Sequence, residues 1–409
     1  MTHYHTIILL GALAVLAFLW DMLSRRTRIP TVIFLLLTGM ALRIAATHFD
    51  LPVPPFEGAL QVIGSIGLVF IVFEGAMDLE LTRERKGLIL QAFISALSIL
   101  VLTAWAIATI YHNLVEVSWH RAWVNALPLA IISSSVAIPS SRSLDSHRRE
   151  FVVYESTFSD ILGILLFNFI LAHSVLDAAS FTGLGWDIIW VTALSAVATA
   201  SLLYLVAKTE AASKFTLLFA LLVLAYAVGK LAHLPTLLLI FALGICLNNA
   251  RLLPLPLVNT SSAARRLRQE LRILKRLTGE GSFLLRTYFF VLFGFSMRLV
   301  SLGEARTLGI GLLILATLLG VRAAFLFLLL RRVPLPEALM APRGLITVLL
   351  FYSIPEGIVM PVVGQDVILV VILGSTLLMA IGLQINKKQQ DKLAITPRTV
   401  LEPVSQVES

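Results

Sequence analysis

The chain alternates long apolar runs with short polar connections, and the runs have the length that a lipid bilayer requires. Thirteen apolar segments can be marked, at about 5–23, 31–47, 60–79, 87–114, 123–141, 151–176, 188–208, 215–232, 235–249, 283–302, 308–331, 337–355 and 366–385. A helix that spans the hydrocarbon layer needs about 20 mostly apolar residues, so each run predicts a transmembrane helix. The ninth is short, and the fifth and twelfth are interrupted by Pro, Gly or polar residues. The predicted fold class is therefore an all-α polytopic membrane protein with 13 transmembrane helices. The two interrupted segments lie seven apart. With segment seven as a connector, segments 1–6 and 8–13 form two six-helix halves that start on opposite sides of the membrane, which makes them inverted repeats. Discontinuous helices at matching positions of such halves are the best sequence pointer to a transporter's binding site.

Composition supports the bilayer as solvent. Of 409 residues, 58% are hydrophobic and only 14% charged, whereas soluble domains carry roughly 25% charged residues. Cys246 is the single cysteine, so no disulfide framework is possible. A net charge of +8 would suggest nucleic acid in a soluble protein, but here the basic residues sit in short loops and are not interleaved with aromatics. No nucleic-acid partner is expected; membrane lipid is. The first run has no basic stretch before it and no small-residue cleavage site, and Arg25, Arg26 and Arg28 follow it. It reads as a retained helix.

Charge sets the orientation. Most of the 32 Lys and Arg fall in alternate connections and the tail: Arg25/Arg26/Arg28, Arg83/Arg85/Lys86, Arg142/Arg148/Arg149, Lys208/Lys214, a basic linker, Arg331/Arg332 and the stretch from Lys387 to Arg398. The opposite connections hold little beyond Arg121 and Arg306. This asymmetry predicts a cytoplasmic C-terminus and an outside N-terminus, in a bacterial inner (plasma) membrane. The linker at 250–282 places Leu267, Leu271, Ile273, Leu274 and Leu277 among basic residues, which predicts a basic amphipathic helix on the cytoplasmic membrane face. The tail reads as unstructured, and no soluble regulatory domain is expected.

Charges inside apolar runs need a physical reason, because burying one in lipid costs from about 3 to more than 10 kcal/mol. Segment six contains Glu155 and Asp160. Asp160 is nine residues from the cytoplasmic start, ~13 Å deep and near the midplane. Arg322 in segment eleven shares that depth. A carboxyl that alternately holds a proton or a cation is the minimum device for exchange. Segment five places Ser133, Ser134, Ser135 and Pro139 mid-membrane. Pro139 cannot donate to the helix ladder, and hydroxyl and freed carbonyl oxygens are hard ligands suited to Na⁺. Segment twelve has Pro342, Arg343 and Gly344 at its interruption, where half-helix ends leave partial charges for Arg343 to neutralise. Plainer readings stand beside these. Serines in membrane helices often serve close packing. Glu155 can snorkel to the interface or pair with Arg322 as a structural salt bridge; the pair is preferred. Glu74 and Asp78 sit at a helix end, where an interfacial role is as natural as a functional one.

Five stretches, "FEGAMDLEL" (73–81), "ESTFSD" (155–160), "FFVLFGFSMRL" (289–299), "GVRAAFLFLL" (320–329) and "APRGLITVLL" (341–350), together resemble the monovalent cation/proton antiporter superfamily. The closer likeness is to its sodium/proton exchanger branch. The resemblance implies scaffold and dimerisation helices 1–3 (1–86), core helices 4–6 (87–180) and a linker helix 7 (181–214). Scaffold helices 8–10 with the basic linker (215–306), core helices 11–13 (307–388) and a cytoplasmic tail (389–409) would follow. It further implies a homodimer, an elevator motion of core against scaffold, and crossed discontinuous helices (segments 5 and 12) beside the ion-binding aspartate, which Asp160 matches. Glu155–Arg322 would be the structural pair and Arg343 the arginine at the second helix break. Ser159 stands where the electroneutral branch has Asn and the electrogenic branch Asp. With one carboxylate at the site, one-for-one electroneutral exchange is expected. "SSSVA" (133–137) looks more like the potassium-efflux branch, so Na⁺ and K⁺ both stay open.

The expected mechanism is competition of H⁺ and cation at Asp160, with Ser133–Ser135, Ser156 and Ser159 as further ligands. No cofactor is expected beyond the transported ions, and no enzymatic activity, since no metal-protease motif or nucleophile elbow is present. An organic-anion carrier, or a channel or sensor on the same frame, are the competing readings.

Overall fold

The computed structural model describes residues 3–50, 57–79, 84–173, 214–231, 236–249, 261–297, 304–330, 335–360 and 364–395, with residue 82 and scattered positions of 182–197. Every extended element in it is a helix. In chain order they are α1 (His3–Thr27), α2 (Thr31–His48), α3 (Glu57–Asp78), α4 (Lys86–Val115), α5 (Trp119–Ala130), α6 (Ser134–Ser140) and α7 (Ser146–Ala172). Then follow α8 (Lys214–Leu231), α9 (Thr236–Asn248), α10 (Ser261–Ser296), α11 (Ala305–Leu330), α12 (Leu345–Tyr352) and α13 (Gln365–Ile395). Short 3₁₀ turns occupy Ser141–Ser143 and Glu337–Leu339. Among the described residues eight helical stretches are long and apolar enough to cross a membrane, and α8 and α9 contain shorter apolar ones. Predicted segment seven (188–208) lies outside the described residues apart from scattered positions.

Lipid offers the backbone no hydrogen bonds, so uninterrupted helices are the default, and punctuation marks where they stop. Pro30 precedes α2. The Asp145 carboxylate accepts from the Arg148 amide at 3.0 Å and starts α7. α10 packs on α2 and α3, and α9 packs on α3. α4 packs on α5, α7 and α11, and α11 packs on α13. α1 is mostly exposed, with Ile7, Ile8, Val15 and Phe18 bare.

Two expectations need correction. The interruption of predicted segment five lies at Ile131–Ser133, between α5 and α6, and not at Pro139, which sits inside α6. Proline is tolerated there because α6 is only 7 residues long and the orphaned carbonyl finds another donor, described below. The basic stretch of the linker is also not a separate surface helix. From Ser261 it runs without a break into segment ten as the 36-residue α10, which at 1.5 Å per residue is about 54 Å long. Its middle is docked on α3: Lys275 pairs with Asp78 at 2.7 Å and donates to the Met77 carbonyl, and Leu274, Thr278 and Ser282 are buried. Asp78 is therefore charge-paired. Residues 250–260 of that linker lie outside the described residues.

α2 and α10 cross at a pair of glycines. A Cβ on Gly39 would overlap the Val291 carbonyl oxygen, and one on Gly294 would overlap the Leu36 carbonyl oxygen. Small residues let two membrane helices approach to backbone contact. Gly294→Ala is expected to destabilise the protein by about 1–3 kcal/mol through overpacking, read as a lowered thermal midpoint in detergent. A midpoint equal to that of the unchanged protein would mean the crossing is looser than it is drawn.

Candidate ion-binding site

α5 ends at Ala130, and the chain is extended through Ile131 and Ser133 before α6 begins. The second interruption runs from Met340 to Gly344, ahead of α12. The two unwound stretches touch: the Ser133 amide donates to the Pro342 carbonyl at 2.9 Å. A Cβ on Gly344 would lie 2.7 Å from Ser133 Oγ and 2.9 Å from Val136 Cγ2, so glycine is what lets them pass.

Arg343 holds this crossing together. It is 1% exposed. Its Nε donates to the Leu129 carbonyl at 2.7 Å and its Nη2 to the Ala130 carbonyl at 3.1 Å, the last two residues of α5. Nη1 donates to the Ala341 carbonyl at 2.6 Å, and the Arg343 amide donates to Ser375 Oγ of α13 at 2.9 Å. A cation at a helix C-terminus meets the negative end of the helix dipole. The fixed fork of guanidinium donors suits several carbonyls at once. Beyond α12 the returning chain is tied to α5 in the same way. Arg121 donates to the Ile358 and Val359 carbonyls at 3.0 and 2.6 Å, and Asn125 bonds both the Ile358 carbonyl and the Met360 amide.

α7 lies against the first crossing strand. Ser159 Oγ accepts from the Ile132 amide at 2.9 Å, and Asp160 Oδ2 accepts from the Ser134 amide at 3.2 Å. Alternate amides of an extended chain point the same way, so two adjacent residues of one helix collect both. Asp160 is 2% exposed, and its Oδ1 is buried with no hydrogen-bond partner among the described residues. Ser133 Oγ and Ser135 Oγ lie 2.9 Å apart. Ser156, one turn before Asp160 on the same face of α7, donates to its own helix at the Val152 carbonyl, 2.7 Å. Pro139 lies farther along α6, on the wall of an open cavity. That cavity, about 660 Å³, also carries Glu74, Ser135, Arg142, Lys275, Arg276 and Arg286, and it reaches Ser135, the residue next to Ser134.

Glu155, five residues before Asp160, is fully engaged. Arg322 Nη2 and Nη1 reach its two oxygens at 2.7 and 3.1 Å, Ser95 Oγ donates to Oε1 at 2.6 Å, and both charged residues are 1% exposed. Arg322 Nε donates to the Glu337 carbonyl at 3.1 Å. Snorkelling is thereby ruled out for Glu155. The structure thus brings Asp160, Ser159 and Ser133–Ser135 together, with Arg343 at the same crossing and Glu155 of α7 paired alongside to Arg322 of α11. Ser95, Arg121, Asn125 and Arg286 were not legible as participants. Each is an ordinary polar residue near or within an apolar run, and only the tertiary contact gives it a role.

The profile of the transmembrane sodium/hydrogen exchanger family matches residues 11–386. The chain belongs to that family. It is accordingly an integral membrane ion transporter of the antiport class. Two solved structures of the sodium proton antiporter MjNhaP1 from Methanocaldococcus jannaschii share its fold. One, determined at pH 8, has a TM-score of 0.69 at 18% identity and covers 95% of this chain and 100% of its own. The other, from electron microscopy, has a TM-score of 0.65 at 17% identity and covers 98% and 100%. A sequence search of curated proteins gives no match.

The buried pair yields a direct expectation. Arg322→Ala leaves an uncompensated carboxylate in the interior, which costs about 3–5 kcal/mol. The variant should show a markedly lower thermal midpoint in detergent and poor yield, and adding Glu155→Gln should recover part of the loss. A variant as stable as the unchanged protein would remove the pair's structural role.

Proposed function

We propose that the protein is a secondary active antiporter that exchanges a monovalent cation, Na⁺ foremost, for H⁺ at a single site centred on Asp160. The observation that carries this reading is the Oδ1 atom of Asp160, buried at the meeting of two interrupted helices and without a hydrogen-bond partner among the described residues. A proton or a desolvated cation would satisfy it. Ser133, Ser134, Ser135, Ser156 and Ser159 are the oxygens near it on chain and helix, and they complete the ligand set in this proposal. Proton and cation compete for the one carboxyl, and the empty, charged site is costly to carry across the apolar barrier. That penalty couples the two fluxes without any cofactor. With Glu155 tied to Arg322, the site has one free carboxyl, and we propose one-for-one, electroneutral turnover.

Alternating access is by an elevator motion in this reading. The core comprises predicted segments 4–6 (87–180) and 11–13 (307–388). The scaffold comprises segments 1–3 (1–86) and 8–10 (215–306), joined by segment seven (181–214), with a homodimer formed through the scaffold. The heavier packing of α4 on α5, α7 and α11, and of α10 on α2 and α3, over the lighter contacts of α7 with α3 and α9 and of α13 with α2, supports the division. The paired interruptions support thirteen crossings in two inverted repeats, and the basic connections support a cytoplasmic C-terminus and an outside N-terminus in a bacterial inner membrane. The cavity that reaches Ser135 is then the cytoplasmic entry, since Arg25, Arg28, Arg142 and Arg276, from the basic connections, line it.

Asp160→Asn should abolish cation-driven proton movement in proteoliposomes, read by a pH-sensitive dye, while leaving the thermal midpoint close to that of the unchanged protein. Retained exchange in that variant would remove Asp160 from the site. In the unchanged protein, the apparent cation KM should rise as the pH falls while the maximal rate stays constant, the signature of competition. Na⁺, Li⁺ and K⁺ run side by side settle the preference, and K⁺ winning would establish the alternative K⁺/H⁺ reading. An imposed membrane potential should leave the rate unchanged; acceleration by it would overturn the electroneutral stoichiometry.

A further inference from the structure

α6 carries Pro139 in its interior. In an uninterrupted helix the amide of residue 139 would donate to the Ser135 carbonyl, but proline has no N–H to give. A main-chain carbonyl left unpaired inside a membrane protein is expensive. This one is not left unpaired: Arg286 Nη1, from α10, donates to it at 2.8 Å. The guanidinium is aimed by its own helix, because Nε donates to the Ser282 carbonyl one turn back at 3.2 Å. Arg286, Ser135 and Pro139 all line the cavity that reaches the crossing. α10 packs on α2 and α3, whereas α6 packs on α7, the helix that carries Asp160.

We propose that Arg286 is a positioning residue: it latches the arrangement in which the cavity is open, and the proline exists to leave it a carbonyl to hold. This rests on the exchange reading above, in which the helices around Asp160 travel past α10 in every cycle. The bond then breaks on the way to the opposite-facing state and re-forms on return. It joins a charged donor to a neutral acceptor, the stronger class of hydrogen bond, and it favours one of the two states selectively. A contact made in only one state shifts the equilibrium between them.

The reading has a signature that mere damage to the fold lacks. The apparent affinity at each membrane face scales with the fraction of molecules open to that face. Arg286→Met should therefore raise the cation KM measured at the cavity face and lower it at the opposite face, changing their ratio by about tenfold. Arg286→Lys, which keeps the charge and one donor, should fall between. Pro139→Ala supplies a competing donor for the Ser135 carbonyl and should reproduce part of the shift. The two changes combined should give less than the sum of their effects, because they act on one bond. If Arg286 serves only as a fixed positive charge, its removal will lower the KM at the cavity face, and the proposal fails. Equal changes at both faces, or strict additivity with Pro139→Ala, overturn it as well.

A second measurement does not depend on transport. With Cys246 replaced by Ala, the single cysteine of Ser140→Cys lies on the cavity wall, where a membrane-impermeant thiol reagent can reach it. Arg286→Met should slow its labelling, and an unchanged rate refutes the latch. If the unchanged protein shows no cation/proton exchange at all, the functional reading fails, and this labelling still decides the fate of the latch.

Discussion

Interrupting a helix within a membrane frees main-chain donors and acceptors where no water can take them, and the architecture around the two breaks answers that constraint. The Leu129 and Ala130 carbonyls at the end of α5 are taken by Arg343, which arrives from the other interruption. The Ser133 amide is taken by Pro342 of that same stretch. The Ile132 and Ser134 amides are taken by Ser159 and Asp160 of α7. Each break is thus completed by the other and by one neighbouring helix. None of the three pieces is a self-sufficient hydrogen-bonded unit, so they are bound to move together.

This reciprocity explains what could be read from the sequence and what could not. Asp160, Glu155 and Arg322 announce themselves, because a charge within an apolar run is too costly to be incidental. Helical rise alone put Arg322 at the depth of Asp160, and the structure pairs it at 2.7 Å with Glu155, five residues nearer the start of α7. The neighbourhood of the breaks was legible from Ser, Pro and Gly in otherwise apolar runs. Their exact register was not. Pro128 and Pro139 are the strongest local helix breakers in segment five, yet both lie inside helices and the chain unwinds between them at Ile131–Ser133. Tertiary partners on α7 and at Arg343 stabilise the extended conformation there, and a local propensity argument has no access to them.

The basic stretch before segment ten shows the opposite failure. Leu among Arg and Lys fits a helix lying on a membrane surface, and equally fits one face of a longer helix docked on protein. Lys275 and Thr278 decide the matter by meeting Asp78 and the buried face of α3. That distinction depends on a partner 197 positions away, so composition alone was bound to be ambiguous.

The most instructive contrast lies within α7, where two carboxylates five residues apart are given opposite conditions. Glu155 has a guanidinium on both oxygens and a serine hydroxyl as well. It has no remaining need that a transported ion would meet, and displacing its partners would expose an unpaired arginine to the interior. Asp160 accepts from the Ser134 amide on one oxygen, and its other oxygen is buried without a hydrogen-bond partner among the described residues. Buried polar groups are normally satisfied, so the orphaned carboxylate oxygen is the feature on which the proposed exchange of proton and cation rests. The saturated acid fixes α7 to α4 and α11, and this rigidity is what allows the adjacent acid to remain unsatisfied without the helix shifting to bury the deficit. The stability of the pair at 155 and the reactivity at 160 are, in this sense, two consequences of how a fixed number of donors is distributed along one helix.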